Sequence, residues 1–117
     1  MDEQLLLARL SALADKSRFT ILQIMAKGAI RTCCDRIEAY ENGCCVADVV
    51  IKTSLSQPTV SHHLKTLEKV GLVHKEVRGP WTCYFPNPEA IEQLIEGLTT
   101  ELFPVADSSA DSKGCCP

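Results

Sequence analysis

Seven cysteines give this chain of 117 residues its most distinctive chemistry, because six of them stand in adjacent pairs. The pairs lie at residues 33–34, 44–45 and 115–116. Thiolates are soft ligands that select soft ions. Structural zinc sites usually use a C-x2–4-C spacing, which adjacent cysteines match poorly because neighbouring side chains diverge on a helix or strand. The pairs therefore favour a site for a soft ion other than structural zinc, with redox sensing by thiols as the alternative.

The compartment decides how these cysteines are interpreted. The N-terminal segment MDEQLLLARL lacks the basic stretch and the small-residue cleavage site of a signal peptide. The apolar runs are too short to cross a membrane. We therefore expect a cytoplasmic protein without a membrane partner. Structural disulfides are rare in a reducing cytosol, so the sequence argues against a disulfide scaffold and for metal binding or redox sensing.

Charge is distributed unevenly along the chain. The formal net charge of −3 would by itself argue against a nucleic-acid partner. Residues 52–78, however, contain five basic and two acidic side chains together with all three histidines, whereas residues 84–112 contain six acidic side chains and no Lys or Arg. The overall balance thus hides a basic central segment, which is the part of the chain suited to DNA.

The elements that position these groups begin with two helices. Leucines at near-helical spacing predict a helix over residues 3–14 with Asp2 as its N-cap. A second helix is predicted to begin near Asp15 and to end at Gly28. The mostly polar residues 29–43 follow, with a turn signal at Asn42-Gly43.

Two short helical segments around a break come next. The first is CVADVVIKT, residues 45–53, and after SLS the second is QPTVSHHLKTLEKVG. Ser56 is the predicted N-cap of the second helix, Pro58 falls in its first turn, and Gly71 ends it. Its apolar stripe consists of Val60, Leu64 and Leu67.

A β-hairpin and a last helix complete the predicted domain. The segments LVHKEVR and TCYFP are rich in β-forming residues and are joined by Gly79-Pro80-Trp81. Residues 87–103 have the apolar stripe of a helix, and residues 104–117 have the composition of a flexible tail. The predicted fold is mainly α with a β-hairpin wing, a winged helix-turn-helix within residues 1–103.

This arrangement predicts a DNA interface. The second helix of the pair would present polar side chains to the major groove, where Gln can read adenine and Ser or Thr can contact base edges or phosphates. The wing would add phosphate contacts that carry no sequence information. The predicted DNA-binding residues are Ser56, Gln57, Thr59, Ser61, His62, Lys65, Lys75 and Arg78.

Four segments resemble, in order, the signatures of the ArsR/SmtB family of metalloregulatory repressors. They are ALADKSRFTILQIM, CCVADVV, SLSQPTVSHHLKTLEKVGLV and GPWTCYFP, and together they span roughly residues 10–100. The resemblance implies a homodimer, paired through the first and last helices, that binds a near-palindromic operator in double-stranded DNA. It also implies release of the operator when a metal or metalloid binds.

The resemblance narrows the candidate effector site. CCVADVV is similar to the CVCDL-type segment of the family, with Cys45 at the first cysteine and Ala47 where the second would stand. The zinc site that some members have on the last helix needs histidine, and residues 87–103 contain none. Residues 29–43 look like an insertion that supplies further thiols. The predicted ligands are Cys33, Cys34, Cys44 and Cys45, with Cys83, Cys115 and Cys116 as secondary candidates.

Trivalent arsenic suits such a cluster because it takes three thiolates in a pyramidal arrangement, and Sb(III) competes on the same grounds. The predicted function is a repressor that releases its operator when As(III) binds, with no organic cofactor. The alternatives are a thiol redox or persulfide sensor on the same scaffold and a repressor that responds to Cd, Zn or Pb. An enzyme is disfavoured, since the chain has neither a CxxC motif nor a Gly-rich anion-binding loop.

Overall fold

The structure, a computed structural model, describes residues 2–27 and 43–103. The predicted stop at Gly28, most of the 29–43 segment, the tail and the cysteine pairs at 33–34 and 115–116 lie outside the described residues. The elements are α1 (Glu3–Leu13), α2 (Lys16–Ala26), β1 (Cys44–Cys45), α3 (Val46–Thr53), α4 (Gln57–Lys69), β2 (Val73–Arg78), β3 (Trp81–Pro86) and α5 (Pro88–Leu102).

Three helices begin at the caps that the sequence predicts. The Asp2 carboxylate accepts a hydrogen bond from the Leu5 amide at 2.8 Å, and the Asp15 carboxylate accepts one from the Arg18 amide at 3.1 Å. The Ser56 hydroxyl accepts a bond from the Thr59 amide at 3.3 Å. Each cap satisfies a backbone N–H that has no partner within the helix. The starts of α1, α2 and α4 are therefore confirmed.

The sheet has one strand more than the predicted hairpin. Its order is β1-β3-β2, with both neighbouring pairs antiparallel. Cys44 and Cys45, which the sequence places at or just before a helix start, instead pair with Tyr84 and Cys83 of β3. The helix begins one residue later than predicted, at Val46. The Asp48 carboxylate accepts the Cys45 amide at 3.0 Å, so Cys45 both ends the strand and caps the helix.

The core joins the helix pair to the wing. It contains the predicted α4 stripe of Val60, Leu64 and Leu67, all fully buried, together with Val49 of α3. Cys44, Val73 and Tyr84 contribute from the sheet. The reading helix α4 is thus held between α3 on one side and the sheet on the other, in the arrangement of a winged helix-turn-helix.

A break between α3 and α4 produces the turn of this motif. Ser54, the C-cap of α3, has φ +64° and lies in the left-handed region that L-residues rarely adopt. The Ser54 amide donates to the Val50 carbonyl at 2.9 Å.

Among the described helices, none combines the length and the apolar character needed to cross a membrane.

Candidate nucleic-acid interface and thiol pair

Helix α4 turns its polar side to solvent, as a reading helix must. Gln57, Thr59, His62 and Lys65 are exposed along it, while Ser61 is half-buried. The cap residue Ser56 is also exposed, and its hydroxyl lies 2.9 Å from the Thr59 hydroxyl. Five of the six predicted contact residues on α4 and its cap are therefore exposed to solvent. This surface has the donors and acceptors needed for base edges and phosphates.

The wing presents its two predicted phosphate ligands differently. Lys75 is exposed, whereas Arg78 is half-buried, with its guanidinium carbon 4.5 Å from the centre of the Phe85 ring. Arg78 also donates to the Glu76 carboxylate at 2.9 and 3.0 Å, and this bond lowers the pKa of Glu76. Lys75 is thus available to DNA as it stands, while Arg78 would exchange the Glu76 carboxylate for a phosphate.

His63 faces the protein rather than the solvent side of α4. Its Nδ1 lies 3.4 Å from Arg18 of α2, which also donates to the Ala12 carbonyl at 2.8 Å. Because a guanidinium can only donate, Nδ1 must be the acceptor and the imidazole is neutral. Burial lowers the pKa of His63, and the Arg18 charge lowers it further, against an opposing effect of Asp15. His63 therefore fixes α4 to α2, and His62 is the exposed histidine of α4.

Arg9 was not singled out by the sequence, yet it ties three helices together. It is buried on α1, donates to the Val70 carbonyl at the end of α4 at 2.7 Å, and donates to the Gln93 side chain of α5 at 3.1 Å. The sequence around Arg9 does not indicate this role, since an isolated Arg on a helix usually faces solvent. Through Arg9 the first and last helices hold the C-terminal end of the reading helix.

Two thiols meet where β1 pairs with β3. Cys45 and Cys83 are partners in the ladder, and their Sγ atoms lie 3.9 Å apart. Cys83 is completely buried and Cys45 is 6% exposed. Phe85 completes this small apolar cluster, and the Gly43 backbone lies so close to the Phe85 ring that any side chain at 43 would overlap it. Glycine at 43 therefore lets β1 approach β3 and bring the two thiols together.

Cys44 points the other way. As its neighbour on a strand, it faces the opposite side of the sheet from Cys45 and is fully buried in the main core. Burial raises the pKa of the Cys44 thiol to about 12, with the nearby Asp48 charge acting in the same direction. Cys44 is thus a neutral packing thiol in this conformation, and it becomes a ligand only if the core around it opens.

Among the described residues, the structure brings one pair of thiols together. Cys45 joins Cys83, a secondary candidate from the sequence, while the pair at 33–34 is not among the described residues. Within residues 2–27 and 43–103, no three His, Cys, Asp or Glu side chains converge in a way that could hold a metal ion. The described part of the chain therefore supplies two soft ligands, and a three-thiolate ion would need a third from elsewhere.

Comparison with known proteins decides the family. Residues 40–75 match the sequence profile of the family described as bacterial regulatory protein, arsR family. An uncharacterised HTH-type transcriptional regulator of Methanocaldococcus jannaschii is 32% identical over 92 residues, which cover 78% of this chain and 86% of that protein. The arsenical resistance operon repressor of Staphylococcus aureus is 30% identical over 89 residues, covering 76% and 72%. The chain belongs to the ArsR family.

A solved structure agrees with the fold of this ArsR-family protein. The homodimeric winged helix-turn-helix DNA-binding domain of a possible ArsR-family regulator from Mycobacterium bovis superposes with a TM-score of 0.60. It is 18% identical, and the match covers 95% of this chain and 89% of that one. As an ArsR-family member, the protein is a DNA-binding transcriptional repressor and not an enzyme.

Proposed function

We propose that this ArsR-family repressor is a homodimer that releases its operator when trivalent arsenic, or antimony, binds cysteine thiolates. The observation that carries the proposal is the position of Cys45, at the junction between strand β1 and helix α3. Helix α3 packs against α4 through the common core that contains Val49 and Leu64. An ion bound at Cys45 therefore acts directly on the element that braces the reading helix.

The DNA-binding half of the proposal rests on the exposed polar side of α4 and on Lys75 of the wing. A single copy offers one reading helix, and a palindromic operator needs two. Large apolar side chains on α1 and α5 are exposed, including Leu7, Ile95 and Leu102. A second copy would cover them, as the homodimeric M. bovis relative suggests, and would set the spacing between the two reading helices.

The coupling between ion and DNA is a difference in affinity between two conformations. The ion must bind more tightly to the form in which the reading helices are wrongly spaced, and about 3 kcal/mol of coupling gives roughly a 150-fold change in operator affinity. Gathering thiolates at Cys45 would displace the start of α3, and α4 would follow because the two helices share one core. Cys33 and Cys34 remain the proposed source of further thiolates, together with Cys115 and Cys116.

The test is release of labelled operator DNA, measured by fluorescence anisotropy under anaerobic conditions with reductant. As(III) and Sb(III) are expected to release the operator at lower concentrations than Cd(II) or Zn(II). A variant with all seven cysteines replaced should bind the operator and retain it in every titration. The proposal would be abandoned if arsenite at concentrations that saturate thiols left the wild-type complex intact.

The 3.9 Å contact between Cys45 and Cys83 favours one second candidate, a thiol redox repressor. Oxidation by a peroxide would break the two S–H bonds, form one S–S bond and reduce hydrogen peroxide to two molecules of water. Operator release by peroxide, reversed by dithiothreitol, combined with no release by anaerobic arsenite, would favour this candidate over the metalloid sensor.

A further inference from the structure

The wing cysteine Cys83 has a position that its sequence context does not reveal. It lies 38 residues from Cys45 along the chain, yet the antiparallel register of β1 and β3 makes the two residues direct partners. Both side chains lie on the sheet face that also carries Phe85, and Cys44 lies on the other. The fold thus isolates two thiols of the described chain from the third.

The distance between these thiols matches a bridging ion better than a bond. A disulfide needs its sulfur atoms about 2.0 Å apart, so the pair would have to close by almost 2 Å. The Sγ atoms at 3.9 Å are in contact without being bonded. Trivalent arsenic binds its ligands in a pyramidal arrangement and would hold two sulfurs somewhat closer than this, so the pair needs to move less for arsenic than for a disulfide.

The position of Cys45 also favours access to the pair. It is the N-cap of α3 and, at 6% exposed, the less buried of the two thiols. Strand β1 lies at the edge of the sheet and is only two residues long, so lifting it breaks few ladder hydrogen bonds and exposes the pair. Cys45 is thus the side chain through which a ligand can reach both thiols.

We propose that Cys45 and Cys83 form a two-thiolate site for trivalent arsenicals, and in particular for monoorganic ones. An organic arsenical keeps its As–C bond and has two exchangeable positions, which two thiolates fill completely. Arsenite has three positions and needs a third thiolate, which the described residues do not provide. The two thiolates of this pair are therefore enough to hold an organoarsenical.

The regulatory consequence rests on the proposed function. Cys45 begins the helix that braces α4, and Cys83 lies in the wing strand opposite Glu76, two residues before the Phe85 ring on which Arg78 rests. Arsenic bound to both sulfurs would link the brace to the wing, so that the two DNA-contacting parts of one subunit could no longer adjust separately. Operator binding would then weaken because both parts must fit the DNA together.

The binding experiment uses phenylarsine oxide as the probe. Two S–H bonds give up their protons, the arsenic–oxygen bond is replaced by two As–S bonds, and one molecule of water leaves, with no change in oxidation state. The starting protein is the full chain with Cys33, Cys34, Cys115 and Cys116 replaced by serine, so that only three cysteines remain. Native mass spectrometry counts the adducts, and operator binding confirms that each variant is folded.

The starting variant should form a one-to-one adduct with phenylarsine oxide. Adding Cys45→Ser or Cys83→Ala should abolish it, whereas the matched control Cys44→Ala should retain it. If a variant fails to fold, protease mapping of the adduct in the starting protein should still find the arsenic on the peptides of Cys45 and Cys83. An adduct that survives Cys83→Ala, or one that maps to Cys44, would overturn the proposal.

These outcomes are separate from those of the proposed function. A phenylarsenic adduct at Cys45 and Cys83, together with a wild-type operator complex that arsenite leaves intact, would support the binding site and contradict the arsenic-responsive function. The opposite result is release of the operator by the same arsenite concentration in wild type and in Cys83→Ala, with no phenylarsenic adduct at the pair. This result would support the arsenic-responsive function and contradict the binding site. The two results use different readouts, so failure of one does not obscure the other.

Discussion

The imidazole of His63 connects protonation to packing at the scale of a single residue. Its Nδ1 accepts a hydrogen bond from Arg18, and this acceptor disappears when the ring is protonated. Burial and Arg18 both lower the pKa of His63, while Asp15 opposes them and the neighbouring His62 adds a smaller lowering effect. The folded protein therefore binds fewer protons at this ring than the unfolded chain does near neutral pH.

The sign of the pH dependence follows from this difference. The unfolded ring has a pKa of about 6.5 and the folded ring a lower one. The contribution of His63 to the free energy of unfolding is therefore at its maximum above pH 6.5 and declines as the pH falls through this value. Urea unfolding at about pH 7.5 and 5.5 should show this decline in the wild type. His63→Gln should reduce it, whereas His62→Gln, an exposed neighbour, should leave most of it in place. An unchanged pH dependence in His63→Gln would contradict the assignment.

Cysteine chemistry at the residue scale depends on which face of β1 each thiol occupies. Cys44 and Cys45 are adjacent in sequence, but one lies in the main core and the other against Cys83 and Phe85. The sequence predicted that both would act as ligands, and this remains an untested prediction for Cys44. The alternation of side chains along a strand gives the two residues different environments, and only Cys45 is placed beside another thiol.

At the scale of elements, the end of the reading helix depends on a close contact between α1 and the turn after α4. Gly71 has φ +82°, and a Cβ atom at this position would lie 2.9 Å from the Arg9 guanidinium. Arg9 in turn donates to the Val70 carbonyl. The absence of a side chain at 71 thus allows α1 to hold the C-terminal end of α4.

Two glycine substitutions separate the cost of a positive φ from the cost of displacing Arg9. Gly71→Ala and Gly79→Ala both place a Cβ at positive φ, which costs about 1–2 kcal/mol. Gly79 lies exposed at the wing turn, so only Gly71→Ala should displace Arg9 as well and lose more stability. In an Arg9→Ala background the two substitutions should cost the same. The free energy of unfolding is measured with urea. Equal losses for the two substitutions in the wild-type background would show that Arg9 moves away from the new Cβ without loss of stability.

The elements that the sequence predicted correctly are those specified locally. Asp2, Asp15 and Ser56 each cap a helix through an amide three residues away, so their role can be read from a short window. The pairing of Cys45 with Cys83 and the bond from Arg9 to Val70 join residues 38 and 61 positions apart. A two-residue strand has too little pattern to be recognised, and so the third strand and the thiol pair were missed.

At the scale of the whole molecule, some of the exposed apolar side chains lie on helices that are joined to each other. Leu7, Ile95 and Leu102 lie on α1 and α5, which Arg9 and Gln93 join into one unit. Ile51 on α3 is exposed elsewhere, at 72%. An apolar surface formed by two joined helices is what a second copy would cover, whereas an isolated exposed residue needs no partner.

Dimerisation through this surface would give Ile95→Glu a specific effect. Ile95 is 60% exposed in the single chain, so the substitution leaves the fold intact but places a charge where a partner would bury it. Light scattering should show a monomer for Ile95→Glu and a dimer for the control Ile51→Glu. Operator affinity of the monomer should fall, because two reading helices no longer bind as one unit. A dimeric Ile95→Glu protein would place the interface on another surface. The α1 and α5 surface, which Arg9 connects to the end of α4, would then no longer explain the spacing of the two reading helices.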